Sequence, residues 1–307
     1  MRAVVVGAGA MGSVFAAALA RAGNDVVALD AASEIVGTIN QRGIEVVEDG
    51  TSSFARVPAT SAPSEVGPVE VAIVFVKAHH THAVAGSLQT YLSPDTVVAS
   101  LQNGWGNADV LAQAVPPARL VVGVTYHSCT LLGPGRAAHT GRGPTTVGPY
   151  EAGAGTSGAE KVAELLSSAG FEVAVRPDVR PEIWKKLVLN AATLPVAAAT
   201  GLRAGELADC GEIEDLVGAL AAEAVLVANK LGLGVELDER LANIHKVLAG
   251  AGSGKPSMLQ DIEGRRKTEI EVINGAVARA AAELGIDVPL NRAMTSLIHG
   301  IERSWAR

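Results

Sequence analysis

A glycine pattern near the start of the chain constrains its fold most strongly. Residues 2–12 read RAVVVGAGAMG, so a short apolar stretch leads into the glycines, and an apolar helical stretch follows from about Met11 to Ala22. Between a strand and a helix, Gly-x-Gly-x-x-Gly allows a tight turn, close approach of a pyrophosphate and close packing of the helix on the strand. The N–H groups at the helix start can then bind phosphate. The pattern predicts a dinucleotide-binding loop made of Gly7, Ala8, Gly9, Ala10, Met11 and Gly12.

An acidic residue follows the next apolar stretch. DVVALD, residues 25–30, predicts a second parallel strand that Asp30 ends. A carboxylate at this position can accept hydrogen bonds from the adenosine ribose and repels a 2′-phosphate. Ala31 comes next, and no arginine follows until Arg42. We therefore expect NAD(H) to be favoured over NADP(H), although a solvated aspartate at a strand end has the same pattern.

Two later strands also end in polar residues. EVAIVFVK ends in Lys77, and TVVASLQNG ends in Asn103 and a glycine. The carboxyl ends of parallel strands line the ligand crevice of an open sheet. Lys77 and Asn103 are therefore candidates for contact with cofactor and substrate, and the alternative is that they are ordinary residues at loop starts.

The length of the chain and a proline-containing break near residue 179 predict two domains. A chain of 307 residues exceeds what one compact core usually takes, and PDVRP interrupts it near residue 179. Residues 1–179 are predicted to form an α/β domain, a Rossmann-type doubly wound parallel sheet, in which residues 123–148 form a hairpin-like strand pair at the sheet edge. Residues 180–307 are predicted to form an all-helical substrate and dimerisation domain, with helices at 182–193, 212–231, 236–249 and 257–284.

Bulk composition bears on the classes of partner and compartment. The net charge is −7, which argues against a nucleic-acid partner. Two cysteines form neither a disulfide framework nor a zinc pattern, so a cytoplasmic location is expected. The uncharged residues 3–20 are explained by the glycine pattern rather than by a targeting segment or a membrane span. His79 and His82 can share a helical face, but without a nearby cysteine or acidic residue no metal site is expected.

Two polar residues share a face of an otherwise apolar helix. In IWKKLVLNAATLP, residues 183–195, Lys186 and Asn190 are four apart, and Leu194 lies one turn further on. A lysine stem that packs on apolar neighbours while its head reaches water would explain Lys186 equally well from the sequence.

A last polar stretch, residues 256–275, reads PSMLQDIEGRRKTEIEVING. Ser257 and Gln260 have capping-box spacing at the start of the predicted helix. Glu269 falls twelve residues later in that helix, and a salt bridge with Arg265 at i,i+4 is the plain alternative to a functional role.

These motifs resemble the ketopantoate reductase (2-dehydropantoate 2-reductase) family along essentially the full chain. The matching stretches are GAGAMG at 7–12, VKAHHT at 76–81 with LQNGWG at 101–106, WKKLVLN at 184–190, and residues 256–275. The resemblance implies hydride transfer from a nicotinamide cofactor to the C2 carbonyl of a 2-keto acid, most simply ketopantoate.

The resemblance also implies roles for individual residues. Lys186 would be the general acid and Glu269 the acidic residue that bridges cofactor and substrate. Asn190 and Ser257 would bind the substrate, while Lys77 would contact the cofactor and Asn103 both cofactor and substrate from the Rossmann side. A homodimer is also expected, without a specific sequence signal.

The chain departs from the family pattern at two positions. Ala31 stands where the family has an arginine for the 2′-phosphate of NADP(H), the usual family cofactor. Leu194 stands where the family has a further substrate-binding asparagine, so a 2-keto acid other than ketopantoate is an alternative substrate.

Two different functions also fit parts of the pattern. One is a β-hydroxyacid dehydrogenase, against which the 256–275 stretch argues. The second is a non-catalytic NAD-binding sensor, against which the presence of Lys186 and Glu269 argues. Whether reduction or oxidation prevails in the cell is not encoded.

Overall fold

The computed structural model describes residues 1–252 and 254–305. The chain divides into two compact units, each packed mainly on itself. The first comprises Met1–Gln102 and Asn107–Val179, and the second comprises Asn103–Gly106 and the chain from Arg180 onward. The short segment Asn103–Gly106 therefore groups with the helical unit, whereas the sequence pattern predicted it in the first domain.

The first unit alternates strands and helices. In chain order its elements are β1 (Arg2–Val6), α1 (Ala10–Arg21), β2 (Asp25–Leu29), α2 (Ser33–Arg42), β3 (Ile44–Glu48), β4 (Thr51–Ala55), β5 (Ala59–Thr60), β6 (Val69–Val74), α3 (Thr81–Leu88), β7 (Leu92–Ser100), α4 (Asn107–Leu111), β8 (Leu120–Thr125), β9 (Ser128–Gly133), β10 (Arg136–Gly141), β11 (Thr145–Pro149), α5 (Ser157–Ser168) and β12 (Val173–Val175). Short 3₁₀ turns lie at Pro63–Glu65, Ala78–His80 and Pro117–Arg119.

The main sheet is largely parallel and doubly wound. Its strand order is β12-β11-β8-β7-β6-β1-β2-β5, and β1 pairs in parallel with both β2 and β6. Val6 at the end of β1 is level with Leu29 and Val74, the last residues of β2 and β6. The loops that follow these three strands consequently start at one edge of the sheet, where open α/β sheets bind their ligands. The predicted Rossmann-type α/β fold class is confirmed.

The stretch 123–148 forms four strands rather than one hairpin at the sheet edge. Strands β8 and β11 pair antiparallel in the main sheet. Strands β9 and β10 instead join a second sheet, ordered β4-β3-β10-β9, which packs on α1. The inner face of this second sheet is apolar, since Val46 and Ala137 are buried in one core with Phe15 of α1. The single-hairpin prediction was wrong because β8 and β11 bury apolar side chains in the main sheet, whereas β9 has no buried residue and pairs in the second sheet.

The second unit is helical around a central helix. Its elements are α6 (Arg180–Thr200), α7 (Gly211–Lys230), α8 (Leu237–Ala251), α9 (Ser257–Glu263), α10 (Asn274–Glu283) and α11 (Pro289–Ser304), with 3₁₀ turns at Gly205–Leu207 and Ile270–Val272. Helix α6 packs against α7, α8, α9 and α11. Its alanine-rich faces allow this close approach, and Trp184, Leu187 and Val188 of α6 are buried in the core of the unit.

The predicted continuous helix over 257–284 is wrong. Helix α9 ends at Glu263, a non-helical segment follows, and α10 begins only at Asn274. The break follows Gly264, a weak helix former, at Arg265, which has a left-handed φ of 48°. The backbone N–H groups of Arg265 and Arg266 then donate to the Ile262 and Asp261 carbonyls, at 3.0 and 2.8 Å, and so satisfy the C-terminus of α9. Because the segment is not helical, Arg265 and Glu269 do not share a helical face, and the predicted alternative of an i,i+4 salt bridge depended on such a face.

No helix among residues 1–252 and 254–305 combines the length and the apolar composition that crossing a lipid bilayer requires. Within the same described residues, no three His, Cys, Asp or Glu side chains are grouped as a metal site would need.

Candidate active site

The glycine loop after β1 has the geometry that its spacing predicts. Gly7 has a φ of +95° and donates its N–H to the Leu29 carbonyl at 2.8 Å. A Cβ at Gly12 would lie 1.8 Å from the Gly7 carbonyl oxygen, so only glycine lets α1 pack on the turn at this point. A Cβ at Gly9 would meet nothing within 4 Å. Gly7 and Gly12 therefore shape the turn itself, while Gly9 leaves space beside the start of α1.

Asp30 lies directly against this loop. Its Oδ2 atom accepts the Ala8 N–H at 2.7 Å, and its Oδ1 atom accepts the Ala32 N–H at 2.9 Å. The carboxylate is therefore fixed between the glycine loop and the start of α2, with lone pairs left for further donors. Ala31, the next residue, presents only an exposed methyl group.

Lys77 follows β6 at the same sheet edge. It is partly buried, has extended backbone angles, and its carbonyl accepts the His80 N–H at 2.9 Å in the turn that precedes α3. Its neighbour Val76 lies against Gly7, since a Cβ at Gly7 would be 2.9 Å from the Val76 backbone nitrogen. Gly7, Asp30 and Lys77 are thus gathered in the first unit around the end of β1.

In the second unit, Lys186 of α6 lies beside Asn103 and within the electrostatic reach of Glu269. The Lys186 Nζ atom donates to Asn103 Oδ1 at 2.8 Å. The Glu269 carboxylate is buried, and its negative charge acts on the Lys186 ammonium. Three residues that lie far apart in the sequence are therefore brought together.

The fold of the segment Asn103–Gly106 explains how Asn103 comes to this position. The Trp105 N–H donates to the Val272 carbonyl at 2.8 Å. A Cβ at Gly104, whose φ is +88°, would lie 2.3 Å from the same carbonyl oxygen. Only glycine fits so close an approach, so the Asn-Gly pair both places Asn103 and lets its loop pack on the turn after Glu269.

The surroundings of Lys186 change its protonation. Lys186 is partly buried, and loss of hydration lowers the pKa of its ammonium from 10.5 to about 8, while the Glu269 carboxylate acts in the opposite direction. An ammonium with such a pKa can release its proton near neutral pH and recover it afterwards. The group is therefore suited to general acid–base chemistry.

The remaining residues predicted on the helical side occupy different environments. Asn190 is buried one turn along α6 from Lys186. Leu194, a further turn along, is partly buried and packs against the apolar core of the unit. Ser257 is exposed at the first residue of α9, which packs on α6. Within this set a direct contact is thus seen between Lys186 and Asn103, and Glu269 acts on Lys186 through its charge.

The predicted capping box at Ser257 is wrong. The N-cap of α9 is Pro256, and no side chain caps this helix. Gln260 bonds instead to the Lys255 carbonyl at 2.8 Å. Because Ser257 stands one residue inside the helix, its hydroxyl is not in the position from which a cap bonds the N–H groups.

Sequence reasoning missed two buried polar clusters. In the first unit His127 Nδ1 lies 2.9 Å from His139 Nε2, and His139 Nδ1 lies 3.0 Å from Glu48. In the second unit the Asn274 side chain donates to the Ala191 carbonyl of α6. A proline inside a helical pattern, Pro195, was the available signal for the second cluster, because proline frees the carbonyl four residues before it.

Comparison with known proteins agrees with this geometry. Residues 3–152 match the family profile described as ketopantoate reductase PanE/ApbA, and residues 178–302 match the profile of its C-terminal region. The chain is 33% identical over 304 residues to a 2-dehydropantoate 2-reductase of Halobacterium salinarum, covering 99% of each chain. It is also 33% identical over 301 residues to a 2-dehydropantoate 2-reductase of Archaeoglobus fulgidus, covering 98% of each.

Solved structures of similar fold include two kinds of enzyme. A D-mandelate dehydrogenase solved with NADH and anilino(oxo)acetate superposes with a TM-score of 0.94 at 28% identity, covering 100% of this chain and 99% of that one. A ketopantoate reductase of the PanE/ApbA family from Ralstonia eutropha JMP134 superposes with a TM-score of 0.91 at 29% identity, covering 100% of both chains. From its motifs, its fold and these matches, the chain belongs to the ketopantoate reductase family of NAD(P)-dependent oxidoreductases.

Proposed function

We propose that this protein reduces the C2 carbonyl of a 2-keto acid with NADH and that Lys186 is the general acid. The observation that carries the proposal is the Lys186 ammonium, which bonds to Asn103 at 2.8 Å, is influenced by Glu269 and has a pKa lowered to about 8. When bound, the nicotinamide supplies the hydride.

Each of the three residues has a distinct task in this reaction. As negative charge grows on the carbonyl oxygen, the Lys186 ammonium stabilises it and then delivers its proton. Asn103 Oδ1 accepts one N–H of the ammonium and so restricts its direction. Glu269 favours the charged form of Lys186 and is proposed to bridge cofactor and substrate.

The cofactor is proposed to bind along the glycine loop of the first unit. The open space at Gly9 suits a pyrophosphate, and Asp30 suits the ribose hydroxyls. Lys77, at the same sheet edge, is proposed to contact the cofactor as well. A carboxylate followed by Ala31, rather than by an arginine, supports NAD(H) over NADP(H), because the methyl group of Ala31 supplies no charge to balance a 2′-phosphate.

Ketopantoate is the first substrate to consider, since the relatives at 33% identity are 2-dehydropantoate 2-reductases. In this proposal Asn190 and Ser257 bind the substrate, with Ser257 near its carboxylate. The product of ketopantoate reduction would be pantoate.

A second candidate is a 2-keto acid without the terminal hydroxyl of ketopantoate. The specific observation is Leu194, an apolar side chain on the helix that carries Lys186 and Asn190. A leucine cannot replace the hydrogen bonds of an amide, and one such bond to a buried hydroxyl is worth roughly 1–3 kcal/mol. The D-mandelate dehydrogenase structures support this candidate, since that enzyme acts on a 2-hydroxy acid with an apolar side chain.

The second unit is also proposed to carry a homodimer contact. Leu226 of α7 and Leu297 of α11 are exposed at 47% and 49%, so each presents apolar surface that a second copy of the chain could cover. Light scattering during size-exclusion chromatography gives the mass of the particle, and a monomer at all concentrations would remove this part of the proposal.

The proposed reaction is tested by an assay that crosses both cofactors with a panel of keto acids. Purified protein is mixed with NADH or NADPH and with ketopantoate, phenylglyoxylate or branched aliphatic 2-keto acids, and loss of cofactor absorbance is followed. The proposal expects turnover with NADH, and the preferred keto acid decides between the two substrate candidates. Binding of cofactor without turnover on any keto acid would favour the non-catalytic sensor.

A further inference from the structure

A proline interrupts the hydrogen bonds of α6 next to the proposed active site. Pro195 lies inside the helix and has no N–H, so the Ala191 carbonyl, four residues earlier, loses its helical donor. Ala191 is 0% exposed, which removes water as a substitute donor. A buried carbonyl that is left without a donor destabilises the fold. Ala191 also directly follows Asn190, so the carbonyl that lacks a helical donor lies one residue from a proposed substrate-binding side chain.

Asn274 supplies the missing donor. Its Nδ2 atom donates one N–H to the Ala191 carbonyl at 2.9 Å and the other to Asn291 Oδ1 at 3.0 Å. Because both partners are acceptors, the orientation of this amide is fixed, with Nδ2 towards α6. Its Oδ1 atom accepts no hydrogen bond from the residues that the structure describes. The side chain is 0% exposed, so its two donated bonds take place without competition from solvent.

The amide of Asn274 is held by further polar groups. Asn291 Nδ2 donates to Glu223 Oε2 at 2.8 Å and to the Leu220 carbonyl at 3.3 Å. The Glu223 carboxylate also accepts the backbone N–H groups of Leu290 and Asn291 at the start of α11, both at 2.9 Å. A carboxylate at a helix N-terminus is favourably placed, so this end of the network is anchored firmly.

The segment that ends at Asn274 carries the other half of the proposed site. It contains Glu269, and Thr268 at its start donates twice to Glu302 of α11, at 2.8 and 2.7 Å. Val272 in its 3₁₀ turn accepts the Trp105 N–H and so fixes the loop of Asn103. The Asn274 amide is therefore a direct polar link between this segment and the helix that carries Lys186.

We propose that Asn274 is a positioning residue that sets α6 against the Glu269 segment and thereby fixes Lys186 relative to Asn103 and Glu269. The proposal rests on the proposed function in one respect, because it takes Lys186, Asn103 and Glu269 as the residues that carry out the reaction. The burial of the Asn274 amide with its Oδ1 atom unpartnered is unfavourable for stability, and this supports a positioning role. A buried network with one oxygen unpartnered is no better for stability than apolar packing, but it specifies a single register between two elements.

The test is a double-mutant cycle between Asn274 and Pro195. Asn274→Ala removes the donor, and the reaction rate should fall about tenfold or more, because small displacements of a catalytic group cost that much. Pro195→Ala returns a backbone N–H to the Ala191 carbonyl and should leave kcat within about twofold of the parent. In the Pro195→Ala background, the loss caused by Asn274→Ala should shrink to about threefold or less. NADH affinity, which rests mainly on the glycine loop and Asp30 of the first unit, should change far less than kcat throughout.

A matched control comes from the same unit. Asn229 also bridges backbone groups, accepting the Val235 N–H at 2.7 Å and donating to the Val235 carbonyl at 2.9 Å. Asn229→Ala should lower the unfolding midpoint without changing kcat. An equal fall of kcat for Asn274→Ala with and without Pro195→Ala, or a loss of stability with normal kcat, would overturn the proposal.

Two further arms keep the test decisive. If Asn274→Ala does not fold, Asn274→Leu preserves the volume, and Pro195→Ala should restore folding to either variant; failure to restore it counts against the proposal.

The pH dependence of chemical labelling of the Lys186 amine needs no turnover. In Asn274→Ala its midpoint should move from about 8 towards 10.5 because loosened packing hydrates the ammonium. If the parent protein is inactive but Asn274→Ala still shows the shifted labelling midpoint, the proposed function is refuted and the positioning role stands. An unchanged labelling midpoint in Asn274→Ala would refute the positioning role.

Discussion

The lowered pKa of Lys186 predicts how activity depends on pH. In the reductive direction the ammonium must be protonated to deliver its proton, so the rate should be full below pH 8 and fall as the pH rises through about 8. In the oxidative direction the neutral amine must accept the proton, so the rate should rise through the same pH. The two profiles should be mirror images about one midpoint.

The magnitude follows from the shift. The pKa falls from 10.5 to about 8, a difference of roughly 2.5 units, which corresponds to about 3 kcal/mol between the charged and neutral forms of the amine. Loss of hydration is the larger cause, and the Glu269 carboxylate opposes it. Glu269→Gln removes the opposing charge, so the midpoint should move to lower pH.

The assay is kcat/KM for keto acid reduction by NADH from about pH 6 to about pH 10, on both sides of the expected midpoint. Lys185→Met is the matched control, since Lys185 neighbours Lys186 but bonds to Glu182 at 2.9 Å. This control should keep the midpoint. A midpoint near the ordinary value of 10.5, or a profile that Glu269→Gln leaves in place, would refute the assignment of the titrating group to Lys186.

Three other changes probe the cofactor and substrate assignments. The double variant Asp30→Ala, Ala31→Arg should shift the ratio of kcat/KM towards NADPH, and an unchanged ratio would count against the role of Asp30. Leu194→Asn should raise ketopantoate turnover by restoring an amide partner worth roughly 1–3 kcal/mol, whereas a clear fall would argue against a substrate-selecting role for this position. Gly12→Ala should lower stability and NADH affinity together because its Cβ would lie 1.8 Å from a carbonyl oxygen. Gly9→Ala, with nothing within 4 Å of the new Cβ, should keep the unfolding midpoint and weaken NADH binding alone, as calorimetry can separate.

Features set by local sequence were predicted well. The glycine turn depends on residues that are neighbours in the chain, so the spacing of Gly7, Gly9 and Gly12 was enough to predict a strand, a turn and a helix. The i,i+4 relation of Lys186 and Asn190 was equally local, since both lie on α6. Membership of the family followed from motifs of this kind.

Features that depend on distant contacts were predicted poorly. The segment after Gly264 has a helix-like composition, yet Arg266 folds back on the end of α9 and Thr268 bonds to Glu302, so the helix stops. Asn103 was assigned to the first domain because it follows an apolar strand. The glycine that follows it packs on the carbonyl of Val272, far away in the chain, which no local pattern reveals. The partner of the Ala191 carbonyl was missed for the same reason.

The role of Lys186 is tested most directly by comparing keto acid reduction in the parent protein with that in Lys186→Met and Lys185→Met. We expect Lys186→Met to lose about 10²- to 10⁴-fold in kcat, the usual contribution of a general acid, while its NADH affinity stays that of the parent. Lys185→Met should keep parental kcat and NADH affinity. A Lys186→Met protein that binds NADH and reduces the keto acid at the parental rate would contradict the account.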